Sequence, residues 1–162
     1  MPNDQPINEF YLQLTSELEA LTELLAWFEQ TIIPLIPEQC GWQSQLVLVE
    51  GFTNAVRHAH QNLPSTTPID LEVKLFQQSL EMRVFDQGEP FNLKEALEDQ
   101  SSRNEQLKLH ESIFPEEGWG LIWMQQLTDE LDYIRLPNER NCLIMRKKLI
   151  DQGASVKNSI KH

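Results

Sequence analysis

The chain is short of cationic side chains. Thirteen Lys and Arg stand against 25 Asp and Glu in 162 residues, a formal net charge of -12. That balance argues against binding nucleic acid or an anionic membrane surface, both of which attract clustered cations. A nucleotide ligand would need Mg²⁺ and a few local cations to offset the general repulsion. Cysteine is scarce too. Cys40 and Cys142 sit in unrelated contexts, with no CxxC and no disulfide framework, which points to a reducing compartment. No apolar run approaches the roughly 18 residues of a membrane span, no signal-peptide pattern opens the chain, and no internal repeat is visible. What is present is ordinary globular composition, 40% hydrophobic and 23% charged, in a length that suits one domain. The expectation is a soluble cytoplasmic protein that meets a small molecule or another protein.

Hydrophobic periodicity divides the chain into elements. Residues 1–8 are polar and read as a frayed start, and "EFYLQL" (9–14) as a short edge strand. Ser16 offers an N-cap, and Leu18, Leu21, Leu25, Phe28 and Ile32 come after it at helical spacing until Pro34 and Pro37 stop the helix. That stripe packs on the sheet or forms a dimer seam. Residues 41–60 read as a second helix. "IDLEVKLF" (69–76) and "LEMRVFD" (80–86) alternate like strands of a hairpin turned at "QQS". Residues 92–99 carry a short helix candidate inside a long aperiodic stretch, 87–117. Residues 118–131 read as a third helix opened by glycines, 132–136 and 142–149 as a second hairpin, and 151–162 as a disordered tail. One domain over 9–150 results. The order predicts an α+β fold, a two-layer sandwich with a mixed, mostly antiparallel sheet covered by helices on one face.

Three short segments carry chemistry. In "EGFTNAVRHAH" (50–60), helical spacing puts Glu50, Asn54, Arg57 and His58 on one stripe. Such a stripe is either a solvated face or faces a ligand. The Asn54 oxygen suits one position around Mg²⁺, Glu50 suits a base one turn earlier, and Arg57 suits a phosphate oxygen. In "DQG" (86–88), a strand-end Asp86 can accept from an exocyclic amino group while Gly88 lets a ring lie close; an ordinary Asp-x-Gly turn looks the same. In "EEGWGLIW" (116–123), Gly118 and Gly120 precede a helix start whose N–H groups favour phosphate, or they form a plain hinge.

Order and spacing go further than any one segment. A helical Glu-x-x-x-Asn, then a strand-end Asp-x-Gly some thirty residues on, then Gly-x-Gly-Leu after a similar loop, resembles the GHKL ATPase superfamily of gyrase, heat-shock chaperone ATPases, MutL-type repair proteins and histidine kinases. "TNAVRHAH" followed by Asp86, Gly88 and Phe91 is similar to the anti-sigma factor serine kinases of bacterial partner switching, as is "MQQLTDELDYIRL".

That resemblance implies a Bergerat ATP-binding fold. It implies Glu50 as catalytic base and Asn54 as the Mg²⁺ ligand, with His58 shaping the phosphate side. Asp86 would take the adenine amino group with Gly88 beneath the ring and Phe91 in the same motif. Residues 100–117 would be a lid, and Gly118, Gly120 and Leu121 would open the phosphate-binding helix. It implies ATP and Mg²⁺ as cofactors, a STAS-domain anti-anti-sigma protein as phosphoacceptor, a sigma factor as alternative partner, and a homodimer. A non-catalytic ATP-binding switch and a detached histidine-kinase catalytic domain are the alternatives. Two departures stand out: Glu89-Pro90 replaces the usual second glycine, and Arg140-Asn141-Cys142 stands where Gly-Thr precedes the last strand. A threonine hydroxyl near the adenine is then missing, and Asn141 or a water takes its place.

Overall fold

A computed structural model describes residues 5–98 and 120–149 of the chain. Five strands form one sheet: β1 (Asn8–Leu14), β2 (Ile69–Leu75), β3 (Ser79–Asp86), β4 (Glu130–Arg135) and β5 (Asn141–Lys148), in the order β1-β2-β3-β5-β4. All four pairings are antiparallel, so no strand is mixed in. Alternation in the sequence sets the faces. Ile69, Leu71, Val73 and Leu75 of β2 are buried, while Asp70, Glu72 and Lys74 point to the other face. That open face settles its own charges. One rung runs Glu9, Lys74, Glu81, Arg146, Glu130 across all five strands, alternating in sign. Its ion pairs measure 3.8 Å for Lys74–Glu9, 3.1 Å for Arg146–Glu81 and 2.8 Å for Arg146–Glu130. Opposite charges placed across strands in this way each contribute about 0.2–1 kcal/mol.

Helices cover the other face. α1 (Leu21–Thr31) comes after a 3-10 turn at Leu18–Ala20, and α2 (Glu38–Asn54) runs on into a π turn at Ala55–Ala59. α3 (Gly120–Leu127) packs beside α2. Residues 93–98 form a further helical turn. Val47, Leu48 and Phe52 of α2, with Leu24 and Phe28 of α1, meet Leu71, Val73, Met82 and Met145 of the sheet in one core. At Gly51, α2 lies so near the sheet that a Cβ would stand 3.2 Å from Val84 and 3.3 Å from Met145. Both cysteines are free and buried. No helix among the described residues is long and apolar enough to cross a membrane.

Three expectations need correction. Ser16 makes no cap; the 3-10 turn begins after Glu17 and uses no side-chain hydrogen bond. Because that turn winds three residues per turn rather than 3.6, it rotates α1 about its own axis. Leu24 rather than Leu25 then faces the sheet, and Leu18 and Leu25 are left 38% and 37% exposed. The third helix ends at Leu127, not 131. Thr128 folds its hydroxyl back onto the Met124 carbonyl, Asp129 joins β5 through Arg146, and the buried Lys147 Nζ donates to the Leu127 carbonyl at 2.8 Å. The chain is tied off there, and β4 starts at Glu130. At the other end, Ile7 and Asn8 belong with β1, since Ile7 N donates to Leu75 O.

Candidate functional site

A cavity of about 330 Å³ opens between the C-terminal half of α2, the ends of β3 and β5, and the start of α3. Asn54, His58, Asp86, Phe91 and Leu121 line it together, five of the residues singled out in the sequence. Gly51, Ala55, Val84 and Leu143 make its walls largely apolar.

Asp86 anchors one end. It is 6% exposed, and its Oδ1 accepts from Gly88 N at 3.0 Å and Asn141 Nδ2 at 2.8 Å. No donor among the described residues is recorded at Oδ2. Asn141, fully buried, also donates to the Gly88 carbonyl at 2.8 Å. Arg135 braces this from outside, donating to Asn141 Oδ1 at 3.0 Å and to Gly88 O at 3.2 Å. Asn141, which the sequence offered beside a water as stand-in for the missing threonine hydroxyl, is thus bonded to Asp86 through its amide.

Gly88 has a different reason from the one expected. It does not line the cavity; it is buried against the end of α2, where a Cβ would run into the backbone of Ala59. Beside it, His60 Nε2 accepts from Gln87 N at 2.9 Å. The π turn puts both contacts in place: its widened ring is closed by His60 N donating to Ala55 O at 2.8 Å, a five-residue step.

Tyr133 completes this end. Its ring sits 4.5 Å from Phe91, tilted by 52°, and its hydroxyl is buried with no hydrogen-bond partner in good geometry among the described residues. Burial, with the Asp86 charge added, pushes its pKa up to about 12, so it stays a neutral phenol. Two aromatic rings, aliphatic walls and one carboxylate oxygen without a recorded donor suit a flat heterocycle bearing an amino group.

At the other end, Glu50 and Asn54 point from successive turns of α2 toward Gly120. A Cβ there would collide with the Glu50 carboxylate and stand 3.9 Å from Asn54 Nδ2. Glu50 is half-buried. Burial raises its pKa above the ordinary 4.5, and the positive charge of Arg57 opposes the rise. A carboxylate made more basic in this way is the better proton acceptor. Arg57 does not line the cavity; it is exposed and acts at Glu50 through charge. Gly118 and the expected lid, 100–117, lie outside the described residues.

Glu50 itself does not line the cavity, whose wall takes Gly51 and Asn54 from this helix; its carboxylate lies beside the cavity, against Gly120. Among the described residues no group of three or more His, Cys, Asp or Glu forms a metal cage. An Mg²⁺ held by Asn54 would draw its other ligands from phosphates and water, as that ion commonly does. These residues fit Mg-ATP. Tyr133, Asn141, Arg135 and His60 are the members that motif spacing missed or left undecided. Only Tyr133 had a local signal, an aromatic on the inward phase of a strand.

Comparison with known proteins agrees with the geometry. The histidine kinase-like ATPase domain matches residues 14–147. No curated protein matches the chain. Among solved structures, the crystal structure of the RsbU and RsbW domains of Rv1364c from Mycobacterium tuberculosis superposes with a TM-score of 0.60 at 14% identity. The alignment covers 89% of this chain and 33% of that one, so the present chain spans about a third of that protein, and the likeness is one of fold.

Proposed function

The chain belongs to the histidine kinase-like ATPase domain family, and from that premise we propose that it is an ATP-dependent protein serine kinase of the anti-sigma type, phosphorylating a STAS-domain antagonist. The observation that carries the reading is the pairing of Glu50 with Asn54 at the start of α3, beside the cavity that Asn54 shares with Asp86. A module that only sensed ATP would need Asp86 and Asn54 but no basic carboxylate.

In this reading Asp86 accepts the adenine amino group, and Phe91 and Tyr133 pack against the ring. Asn54 holds Mg²⁺, and His58 borders the phosphates. Bound Mg-ATP supplies an activated γ-phosphoryl group. Glu50 takes the proton of the attacking serine hydroxyl as the new O–P bond forms and the bond to ADP breaks. The partners in this reading are the STAS-domain anti-anti-sigma protein and, when that protein is phosphorylated, a sigma factor, with the kinase acting as a cytoplasmic homodimer.

The test is radiolabelled phosphate transfer to STAS-domain proteins of the same genome, alongside ATP titrations. Glu50→Gln keeps shape and hydrogen bonding; it should bind Mg-ATP nearly as wild type and lose transfer by roughly 10²–10⁴-fold. Asn54→Ala should lose both. If the wild type binds ATP and labels no such partner, the non-catalytic switch replaces the kinase.

A further inference from the structure

His60 is 3% exposed and stands outside the lining of the cavity. It ends the π turn, with Nε2 2.9 Å from the Gln87 N–H. Because Nε2 accepts, the neutral ring carries its proton on Nδ1, and Nδ1 is buried with no partner among the described residues. An unpaired buried N–H is a cost that a leucine here would avoid. What the imidazole supplies in return is one acceptor, aimed at the N–H of the Asp86–Gln87 peptide.

That peptide is the hinge of the base-binding turn. Asn141 and Arg135 hold the turn from the sheet side through Asp86 Oδ1 and Gly88 O. His60 holds it from the helix side. Of these three, only the imidazole titrates near neutral pH.

We propose that His60 is the positioning residue of the base-binding turn, holding Gln87 N–H when neutral and releasing it when protonated, so that nucleotide affinity falls in mild acid. Protonation puts a hydrogen on Nε2 that faces the Gln87 N–H, and two donors cannot bond. The imidazolium would also turn toward Asp86 and compete with the adenine amino group for its carboxylate. Asp86, from β3, is the charged group whose field reaches His60; Arg57 and His58 of its own turn are exposed. Burial lowers the pKa of His60 from the ordinary 6.5, and Asp86 opposes this more weakly. The ring is therefore neutral at pH 7.5 and charges only as pH falls below 6.5.

The inference rests on the ATP-site reading, and the experiment separates the two. Mg-ATP is titrated calorimetrically into the full chain at pH 7.5, 6.5 and 5.5, for wild type, His60→Gln and His60→Leu. Glutamine places an oxygen where Nε2 was and does not titrate. His60→Gln should bind within about threefold of wild type at pH 7.5, whereas His60→Leu should bind about tenfold more weakly, the loss of one hydrogen bond. Between pH 7.5 and 5.5, wild type should weaken relative to His60→Gln by up to about tenfold, the limit set by an unperturbed imidazole. Comparing the two proteins cancels the titration of ATP and of every group they share. Parallel pH curves for wild type and His60→Gln overturn the inference. Should His60→Leu fail to fold, the glutamine comparison still decides. If wild type binds no Mg-ATP at any pH, the nucleotide reading itself has failed.

Discussion

Asn141→Asp is the sharpest probe of how the base-binding end is built. The change is isosteric, but it replaces the buried donor that sits 2.8 Å from Asp86 Oδ1 and 2.8 Å from Gly88 O with a second carboxylate oxygen. Two charge-bearing oxygens then face each other at a fully buried position. Losing a hydrogen bond to a charged group costs about 1.5–3 kcal/mol, and uncompensated buried charge costs about 3–5 kcal/mol. Arg135, which donates to the other side of residue 141 at 3.0 Å, offsets part of that. A net loss of about 3 kcal/mol at pH 7.5 is expected, a fall in Tm of roughly 6–12 °C for a chain of this size. The pH dependence identifies the cause. One of the two facing carboxyls must keep a proton, so its folded pKa is raised above the ordinary aspartate value of about 3.9. The folded state then binds more protons than the unfolded state, and stability falls as pH rises from that value through the raised one. The deficit against wild type should therefore shrink by about 1–3 kcal/mol on going from pH 7.5 to pH 5. Urea denaturation of both proteins at the two pH values measures it. An equal deficit at pH 5 and 7.5 would show that the Asn141 amide does not face the Asp86 carboxylate.

Asp86→Asn removes the charge proposed to accept the adenine amino group, and calorimetry should show ATP binding weakened by several-fold to a hundredfold, about 1.5–3 kcal/mol, with the fold intact by circular dichroism. Unchanged affinity would take Asp86 out of the site. Gly88→Ala should cost about 1–3 kcal/mol in urea melts, because the new Cβ meets the main chain of Ala59 rather than a side chain that can swing away; a stability within error of wild type would mean that α2 and the turn are not in contact.

Much of the fold was legible in the sequence because it rested on local periodicity. The strand alternation in 69–76 and 80–86 needs only the geometry of one element and came through, and of the stripe Glu50–Asn54–His58 the last two line the cavity while Glu50 stands beside it. What failed depended on neighbours. Whether Leu24 or Leu25 faced the sheet turned on a 3-10 turn that no local pattern announces. Arg57 sits on the right side of α2 by spacing yet misses the cavity, because the last turn is a π turn that alters the phase. His60 and Ala59 matter only because the chain brings residues 86–88 against them, a contact across more than twenty positions.

The π turn also explains how one helix serves both ends of the site. An α2 that stayed regular would deliver Glu50 and Asn54 to α3 but would close Ala55 to Ala59, not to His60. The five-residue ring inserts the extra position, so that Ala59 can back Gly88 while His60 reaches Gln87. Gly51 does the corresponding work on the sheet side. Its missing side chain lets α2 lie close to Val84, Leu143 and Met145. Both features sit in the motif segment or beside it, and both act through the course of the backbone. The stretch from Glu50 to His60 is thus constrained twice, by the chemistry of its charged stripe and by the packing that sets the distance between the two ends.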